Sequence, residues 1–177
     1  MLRKRLFWLY KYIGFRKDKV LQKLVNFTIP NLEEWFAFSH FSGRKHFFFT
    51  IKAVLRGMIQ KKGGAIINLS SVSWMLGEGD KVAYETAKSA VIGLTRSFAR
   101  EFGKYNIRCN SVTPGSIATE RQIKHWLTPK YKKFILDKQC LKRQLKPADV
   151  ASLVVHLSSD VSSGCTKQNF IIDAGIT

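Results

Sequence analysis

The sequence predicts an α/β protein with a parallel β-sheet, because short predicted strands alternate with longer segments of helical period. Residues 65–69 are a short apolar run with the character of a buried parallel strand, and residues 107–112 and 170–173 are predicted to be the next two strands. Helical patterns lie between them, at residues 83–102 and 147–157. The order strand, helix, strand, helix, strand is the layout of a parallel sheet with crossover helices.

Glycine and proline residues set the predicted ends of these elements. A largely buried helix at residues 47–60 ends at the glycine pair 63–64, just before the first strand. Pro114 stops the second strand, and Pro147 stands in the first turn of the last helix, where its missing amide hydrogen costs nothing. Residues 120–142 are polar, basic and aromatic, which is typical of a mobile lid.

Length and composition fit one globular domain in a reducing compartment. The chain has 177 residues, of which 45% are hydrophobic, too many for a disordered protein. Its three cysteines lie far apart and are odd in number, which argues against a disulfide framework and favours a cytoplasmic location. The four histidines have no metal-ligand spacing, so no metal site is predicted.

The first 31 residues are predicted to be a basic, aromatic extension that precedes a domain at residues 32–177. The net charge of the chain is +18, and eight lysines and arginines stand in residues 1–23 against the single acid Asp18. Such a segment either binds an anionic membrane or nucleic-acid backbone, or is a solvated extension. Its apolar stretch is too short for a signal peptide, and no segment has the length of a transmembrane helix. The sequence makes no strong case for a nucleic-acid or membrane partner.

The residues that form a chemical pattern are Ser71, Tyr84 and Lys88. Ser71 follows the first strand closely, and open α/β sheets bind their ligands at the carboxyl ends of strands. Tyr84 and Lys88 are four residues apart near the start of a helix and so share one face. An ammonium beside a phenol favours the phenolate, which can accept a proton from a hydroxyl while hydride leaves the same carbon. A surface Tyr–Lys pair without function has the same spacing.

Four motifs around these residues occur in the order and spacing of the short-chain dehydrogenase/reductase family, which the chain resembles over about residues 32–177. They are Ile66-Ile-Asn-Leu-Ser-Ser71, Tyr84-Glu-Thr-Ala-Lys88, Asn106-Ile-Arg-Cys-Asn110 and Pro114-Gly-Ser-Ile-Ala-Thr119. The resemblance implies the C-terminal part of a Rossmann-like, doubly wound parallel sheet. The catalytic residues that it implies are Ser71, Tyr84 and Lys88. The residues implied in contact with NAD or NADP are Tyr84, Lys88, Pro114, Gly115, Ile117 and Thr119.

Within this family the chain resembles in particular the bacterial NAD-dependent aldose 1-dehydrogenases, which act on xylose-like sugars. The residues that carry this likeness are Ser73, Trp74, Arg121, Gln122, Trp126, Thr128, Pro129, residues 139–142 and the ending Ile172-Asp-Ala-Gly175. The likeness favours NAD over NADP. It implies a small sugar or alcohol substrate, held by Ser71, Trp74, Gln122 and Trp126. Ordinary packing is the alternative interpretation of the two tryptophans.

Parts of the family pattern are missing from the sequence. The chain has no T-G-x-x-x-G-x-G turn of the kind that holds a dinucleotide pyrophosphate, and no N-N-A-G stretch. Ser42 stands where the family has a fourth catalytic residue, an asparagine, and Lys167 stands where it has glycine. We therefore expect an N-terminally truncated enzyme that lacks the first βαβ units and binds the cofactor weakly. The alternative is a catalytically inactive remnant that retains only the fold and the subunit-association surfaces of a homo-oligomer.

Overall fold

The structure is a computed structural model that describes residues 45–77, 79 and 81–177, and their side chains from residue 49 onward. These residues lie in one compact unit of the chain, Phe41–Thr177. The predicted extension at residues 1–31 lies outside the described residues, and so does Ser42. The boundary between extension and domain therefore stays a prediction.

Three strands form a parallel sheet in the order in which they follow one another along the chain. They are β1 (Gly64–Leu69), β2 (Ile107–Pro114) and β3 (Asn169–Ile172). Gly64 of β1 is opposite Ile107 of β2, and Ser111 of β2 is opposite Asn169 of β3. The predicted parallel α/β layout is confirmed.

The described residues contain six α-helices. They are α1 (Lys45–Lys61), α2 (Ser73–Leu76), α3 (Val82–Phe102), α4 (Glu120–His125), α5 (Pro129–Lys138) and α6 (Pro147–Ser158). Short 3₁₀ turns follow α3 and α6, at Gly103–Tyr105 and Asp160–Ser162. The three helices predicted from periodicity correspond to α1, α3 and α6, and each begins and ends within two residues of the prediction.

Helices cover both faces of the sheet. On one face, buried residues of α1, α3, β1 and β2 form an apolar cluster: Ile51, Leu55, Ile66, Phe98, Ala99, Phe102, Ile107 and Cys109. Arg108 lies between Ile107 and Cys109 in β2, so its side chain points to the opposite face. There its guanidinium donates hydrogen bonds to the carbonyl oxygens of Leu157 at 2.8 Å and Ser159 at 3.0 Å, at the end of α6. This arrangement is that of a doubly wound sheet.

The apolar cluster is the main source of stability in this part of the chain. The rings of Phe98 and Phe102 stack with their centroids 5.4 Å apart. Full burial of a side chain of this kind contributes about 1.5–3 kcal/mol. Burial also raises the pKa of the Cys109 thiol to about 12, although a hydrogen bond from Asn68 acts in the opposite direction. The thiol is therefore protonated and unreactive.

The structure adds helices where the sequence predicted none. The four-residue helix α2 lies between β1 and α3, and α4 and α5 lie within the predicted lid. Thr119 and Thr128 cap α4 and α5, since their side-chain oxygens accept hydrogen bonds from the amides of Gln122 and Tyr131. The lid is therefore helical over much of its length, and its mobility stays a prediction.

The described part of the chain contains no membrane-spanning helix, no metal-binding cluster and no disulfide. None of its helices combines the length and the apolar character that a membrane-spanning segment needs. It has no group of three or more histidine, cysteine, aspartate or glutamate side chains arranged to hold a metal ion. Its three cysteines are free thiols.

Candidate active site

The segment after β1 carries Ser71 and is fixed to β2 on both sides. Ser70 and Val72, the two neighbours of Ser71, donate backbone hydrogen bonds to carbonyl oxygens at the end of β2, at 2.8 and 3.1 Å. The Oγ of Ser71 accepts hydrogen bonds from the amide of Ser73 at 3.3 Å and from its hydroxyl at 3.1 Å. Ser71 thus lies at the carboxyl end of the sheet, where open α/β proteins bind their ligands.

Lys88 joins helix α3 to the same segment. Its Nζ donates a hydrogen bond to the Leu69 carbonyl oxygen at 2.9 Å, and the Ser70 hydroxyl donates one to the Lys88 carbonyl oxygen at 2.7 Å. The Nζ also lies 5.7 Å from the centre of the Tyr84 ring, so Tyr84 and Lys88 share one helix face. Tyr84 is 43% exposed, which leaves room for a substrate to reach its side chain. The ammonium is held between the strand end and the phenol ring.

The turn after β2 packs closely against the end of β3. The Gly115 amide donates a hydrogen bond to the Ile172 carbonyl oxygen at 3.0 Å. A Cβ atom at residue 115 would stand 2.9 Å from both the Cα and the Cβ of Asp173. Glycine is therefore required at residue 115 by packing, whatever ligand the turn binds.

Asp173, in turn, ties down the last residues of the chain. One carboxylate oxygen accepts a hydrogen bond from the Gly175 amide at 2.8 Å. The other accepts hydrogen bonds from the Thr177 amide at 2.9 Å, the Thr177 hydroxyl at 2.8 Å and the Ile176 amide at 3.3 Å. Burial opposes ionisation of this carboxyl, but the hydrogen bonds outweigh it, and the pKa of Asp173 lies below its ordinary value. No role is predicted for Asp173 from the sequence, although the spacing Asp-x-Gly-x-Thr at the end of the chain is a signal for these hydrogen bonds.

Four of the six predicted cofactor residues, Pro114, Gly115, Ile117 and Thr119, lie in one continuous segment from the end of β2 to the start of α4. Ile117 makes a parallel bridge with Leu145, and the Thr119 hydroxyl oxygen accepts a hydrogen bond from the amide of Gln122 at 3.1 Å. Pro114 and Gly115 begin the same turn at the end of β2. These contacts fix the backbone of the turn and leave its role towards a nucleotide as a prediction.

Ser116, in the middle of this turn, is a candidate that the sequence analysis missed. Its carbonyl oxygen accepts a hydrogen bond from the Gln144 side chain at 2.9 Å. Its hydroxyl oxygen is buried and has no hydrogen-bond partner among the described residues. Most buried polar atoms in proteins are paired, so this unpaired hydroxyl is an exception that a bound polar group would remove.

Apart from Ser71, the predicted substrate residues lie in or at the end of two separate helices. Gln122 and Trp126 belong to α4 and its C-terminal end, and Trp74 lies in α2, three residues after Ser71. Trp126 is 50% exposed, and the Arg121 guanidinium carbon lies 5.3 Å from the centre of its ring. The indole Nε1 of Trp74 is buried and has no hydrogen-bond partner within the described ranges.

Glu85 is another residue to which the sequence analysis gave no role. It follows Tyr84 directly in α3, and its Oε1 is buried without a hydrogen-bond partner among residues 45–77, 79 and 81–177. Its place beside Tyr84 was the only signal in the sequence, because the burial of one carboxylate oxygen is visible only in three dimensions.

At the carboxyl end of the parallel sheet lie three side chains of types that general acid–base catalysis uses. A phenol, an ammonium and a hydroxyl are supplied by Tyr84, Lys88 and Ser71. Comparison with known proteins identifies the class. The family model described as enoyl-(acyl carrier protein) reductase matches residues 4–177. The chain belongs to the short-chain dehydrogenase/reductase family, as its motifs indicate. The matched range also takes in residues 4–31, which the motifs themselves do not reach.

Proteins similar in sequence to this chain include sugar dehydrogenases and 3-oxoacyl-[acyl-carrier-protein] reductases. The chain is 47% identical over 131 residues to D-xylose 1-dehydrogenase of Caulobacter vibrioides. The aligned region covers 74% of this chain and 52% of the relative. The chain is also 42% identical over 132 residues to a probable galactose dehydrogenase of Rhizobium meliloti. That aligned region covers 75% of this chain and 52% of the relative. The chain thus spans about half the length of the curated relatives it matches.

Solved structures share the same fold. The chain matches 4-hydroxyisoleucine dehydrogenase complexed with NADH with a TM-score of 0.69 and 37% identity, over 73% of this chain and 54% of that one. It matches 3-oxoacyl-[acyl-carrier protein] reductase from Brucella melitensis with a TM-score of 0.67 and 33% identity, over 73% of this chain and 48% of that one. These matches agree with the doubly wound arrangement of the sheet.

Proposed function

We propose that this chain supplies the catalytic groups of an NAD-dependent sugar dehydrogenase. The observation that carries the proposal is the arrangement of Tyr84 and Lys88 on adjacent turns of α3. The Lys88 ammonium lies 5.7 Å from the centre of the phenol ring and is hydrogen-bonded to the end of β1. The similarity to D-xylose 1-dehydrogenase and to a probable galactose dehydrogenase supports a sugar as the substrate.

In the proposed reaction Tyr84 accepts the proton of the sugar C1 hydroxyl while hydride leaves C1, and the product is a lactone. Lys88 stabilises the phenolate through its positive charge. Ser71 donates its hydroxyl hydrogen to the substrate oxygen and orients it. The hydrogen bond from Ser73 to Ser71 Oγ supports this role, because it leaves the Ser71 hydrogen free to point elsewhere.

We propose that the turn after β2 contacts the nicotinamide end of a dinucleotide. Its Ser116 hydroxyl is buried and unpaired within the described part of the chain, so it suits a polar ligand group. The residues proposed to contact the cofactor are Tyr84, Lys88, Pro114, Gly115, Ile117 and Thr119. A bound NAD supplies the hydride acceptor, a chemistry that protein side chains lack. We propose NAD rather than NADP on the likeness to sugar dehydrogenases, and weak binding by this chain alone, because its sequence has no glycine-rich pyrophosphate turn.

The proposed sugar site lies beside Tyr84 and uses side chains of α2 and α4. Trp74 and Trp126 offer flat apolar surfaces of the kind that stack on a sugar ring. Gln122 offers an amide that both donates to and accepts from hydroxyl groups. The half-exposed state of Trp126 supports this role, since an exposed indole is free to cover a ligand.

We further propose that the protein is a cytoplasmic homo-oligomer. In this family the helices that correspond to α1 and α3 usually form subunit interfaces. The three cysteines, all free thiols in the structure, support a reducing compartment.

The proposed activity is tested with a chimaera in which the N-terminal half of the Caulobacter D-xylose 1-dehydrogenase precedes residues 45–177 of this chain. NADH formation is followed with D-xylose, D-galactose and a simple alcohol. We expect NADH with at least one of the two sugars. A chimaera that binds NAD but oxidises neither sugar would contradict the proposal.

A further inference from the structure

A shallow, open groove of about 490 Å³ lies against the C-terminal half of α3. Phe98 and Phe102 of this half of the helix are buried in the apolar cluster, whereas the side chains that line the groove are exposed to solvent. The lining residues are Arg96, Ser97, Arg100, Glu101 and Lys167. Three cations and a single acid therefore meet at one accessible cavity.

The three cations of the groove have no anionic partner among the described residues. No ion pair or side-chain hydrogen bond joins Arg96, Arg100 or Lys167 to another group in this part of the chain. Arg96 and Arg100 are four residues apart on α3, where like charges share a face and repel each other. A bound anion would replace this repulsion with attraction.

Lys167 is held at the groove in a backbone conformation that favours glycine. Its φ angle is 66°, which costs free energy for any residue with a Cβ atom. The Lys167 amide donates a hydrogen bond to the Cys109 carbonyl oxygen at 2.8 Å, and the Gln168 amide donates one to the Asn110 side chain at 3.1 Å. Strand β2 thus fixes the strained residue in place. Strain that the surrounding structure enforces in this way is typical of ligand-binding positions.

We propose that this groove binds a small, soluble phosphate-bearing compound through Arg96, Arg100 and Lys167. A guanidinium group pairs with phosphate oxygens through two parallel hydrogen bonds, and a lysine ammonium adds a compact positive charge. The Ser97 hydroxyl supplies a further hydrogen-bond donor at the same cavity. The volume of the groove is that of a small-molecule site, so it accommodates more than a single phosphate ion.

The groove is separate from the candidate active site. Lys167 is hydrogen-bonded to Cys109 near the start of β2, whereas Ser71 follows the carboxyl end of β1, at the opposite edge of the parallel sheet. Arg96 is two helical turns beyond Lys88 on α3, about 12 Å along the helix axis. The inference therefore does not rest on the proposed function, and either can fail without the other.

The test is a calorimetric titration of the full chain with pyrophosphate, at an ionic strength held constant with sodium chloride. The wild type is compared with Lys167→Gly, Arg100→Gln and Lys62→Gly. Lys62 provides the matched control, because it is an exposed lysine with a φ angle of 53° and does not line the groove. Both glycine variants remove one positive charge and one left-handed lysine, so only the place of the lysine differs between them.

We expect the wild type and Lys62→Gly to bind pyrophosphate equally well, with a Kd of about 1 mM or lower. Lys167→Gly and Arg100→Gln should each weaken the affinity about tenfold, because a charge-assisted contact is lost. Added sodium chloride should weaken binding to the wild type, since salt screens exposed charges.

Three results would overturn the inference. Equal affinities of Lys167→Gly and Lys62→Gly would show that pyrophosphate responds only to the net charge of the chain. A wild type that does not bind pyrophosphate would leave the groove without the proposed ligand. If Lys167→Gly weakens binding to phosphatidylglycerol vesicles and leaves pyrophosphate binding unchanged, the groove recognises a lipid surface instead of a soluble compound. All three results leave the dehydrogenase proposal intact, because the variants do not alter Ser71, Tyr84 or Lys88.

Discussion

Lys88 and Leu69 are joined by a hydrogen bond of 2.9 Å from the lysine Nζ to the carbonyl oxygen, across the two elements that build the site. The Ser70 hydroxyl returns a second hydrogen bond to the Lys88 carbonyl oxygen at 2.7 Å. The sheet therefore sets the position of the ammonium, which would otherwise move on a long flexible side chain. A fixed positive charge beside Tyr84 is what the proposed proton transfer needs.

Replacing Lys88 tests whether this charge serves the chemistry. In the chimaera, Lys88→Met should lower kcat with D-xylose by about a hundredfold or more, the range of general acid–base assistance. Lys61→Met, at an exposed lysine at the end of α1, should leave kcat unchanged. Equal rates for the two variants would show that Lys88 serves the fold alone.

The contact between Gly115 and Asp173 predicts a loss of stability on adding a single methyl group. Gly115→Ala places its Cβ 2.9 Å from backbone and side-chain atoms of Asp173, so the turn or the end of β3 has to move. Overpacking of this kind costs about 1–3 kcal/mol of the free energy of unfolding, which urea denaturation measures.

Gly93→Ala is the matched control for this substitution. Gly93 lies within α3 and has open space where the Cβ would stand. Alanine there should stabilise the protein by about 0.5–1 kcal/mol, since glycine is unfavourable inside a helix. Two variants that change the stability equally and in the same direction would contradict the close contact at residue 115.

Substitution of Lys167 by glycine should stabilise the protein, in contrast to the loss of stability expected for Gly115→Ala. Its φ angle is 66°, in the left-handed region that a lysine adopts only at a cost, and it stands where the family has glycine. Lys167→Gly should raise the free energy of unfolding by about 1 kcal/mol, measured by the same denaturation. A lower stability would mean that contacts of the Lys167 side chain outweigh the relief of backbone strain.

Acid should destabilise the fold partly through Asp173. Because its folded pKa lies below the ordinary value, its contribution is present above the unfolded value of about 3.9 and is lost as the pH falls through the folded value. The free energy of unfolding should therefore fall more steeply below about pH 4 in the wild type than in Asp173→Asn. Asp149, whose pKa hydrogen bonds from Arg143 lower to about 2, is present in both proteins and cancels in the comparison. If the free energy of unfolding depends on pH in the same way in the wild type and in Asp173→Asn, the role given to the Asp173 carboxylate is wrong.

The elements that the sequence predicts well have a clear repeat of buried residues or a proline or glycine that marks one end. Helix α3 repeats buried residues over 21 positions, so its pattern is clear, and Pro147 marks the start of α6. The four-residue helix α2 is too short to have a period, and its ending is set by a left-handed Gly77. For α4 and α5 the signals existed, in the capping residues Thr119 and Thr128, but the charged composition favoured a lid instead.

The features of the site also differ in whether the sequence alone could predict them. The spacing of Tyr84 and Lys88 is local, so a helix was enough to predict that they share a face. Whether the side-chain atoms of Trp74, Glu85 and Ser116 are buried and unpaired depends on residues that surround them in the fold. The local sequence does not show those neighbours. The same holds for the contact of Gly115 with Asp173, which lie 58 positions apart and meet only when β2 and β3 pair.

The central claim, that Tyr84 is the base of a sugar dehydrogenase, is tested most directly by Tyr84→Phe in the chimaera. The phenylalanine keeps the ring and removes the hydroxyl, so folding and NAD binding should be unchanged. We expect kcat for oxidation of D-xylose to fall by roughly 10²–10⁴, as for other general bases. If the Tyr84→Phe chimaera forms NADH from D-xylose at the rate of its parent, another group takes the proton and the account of the site is wrong.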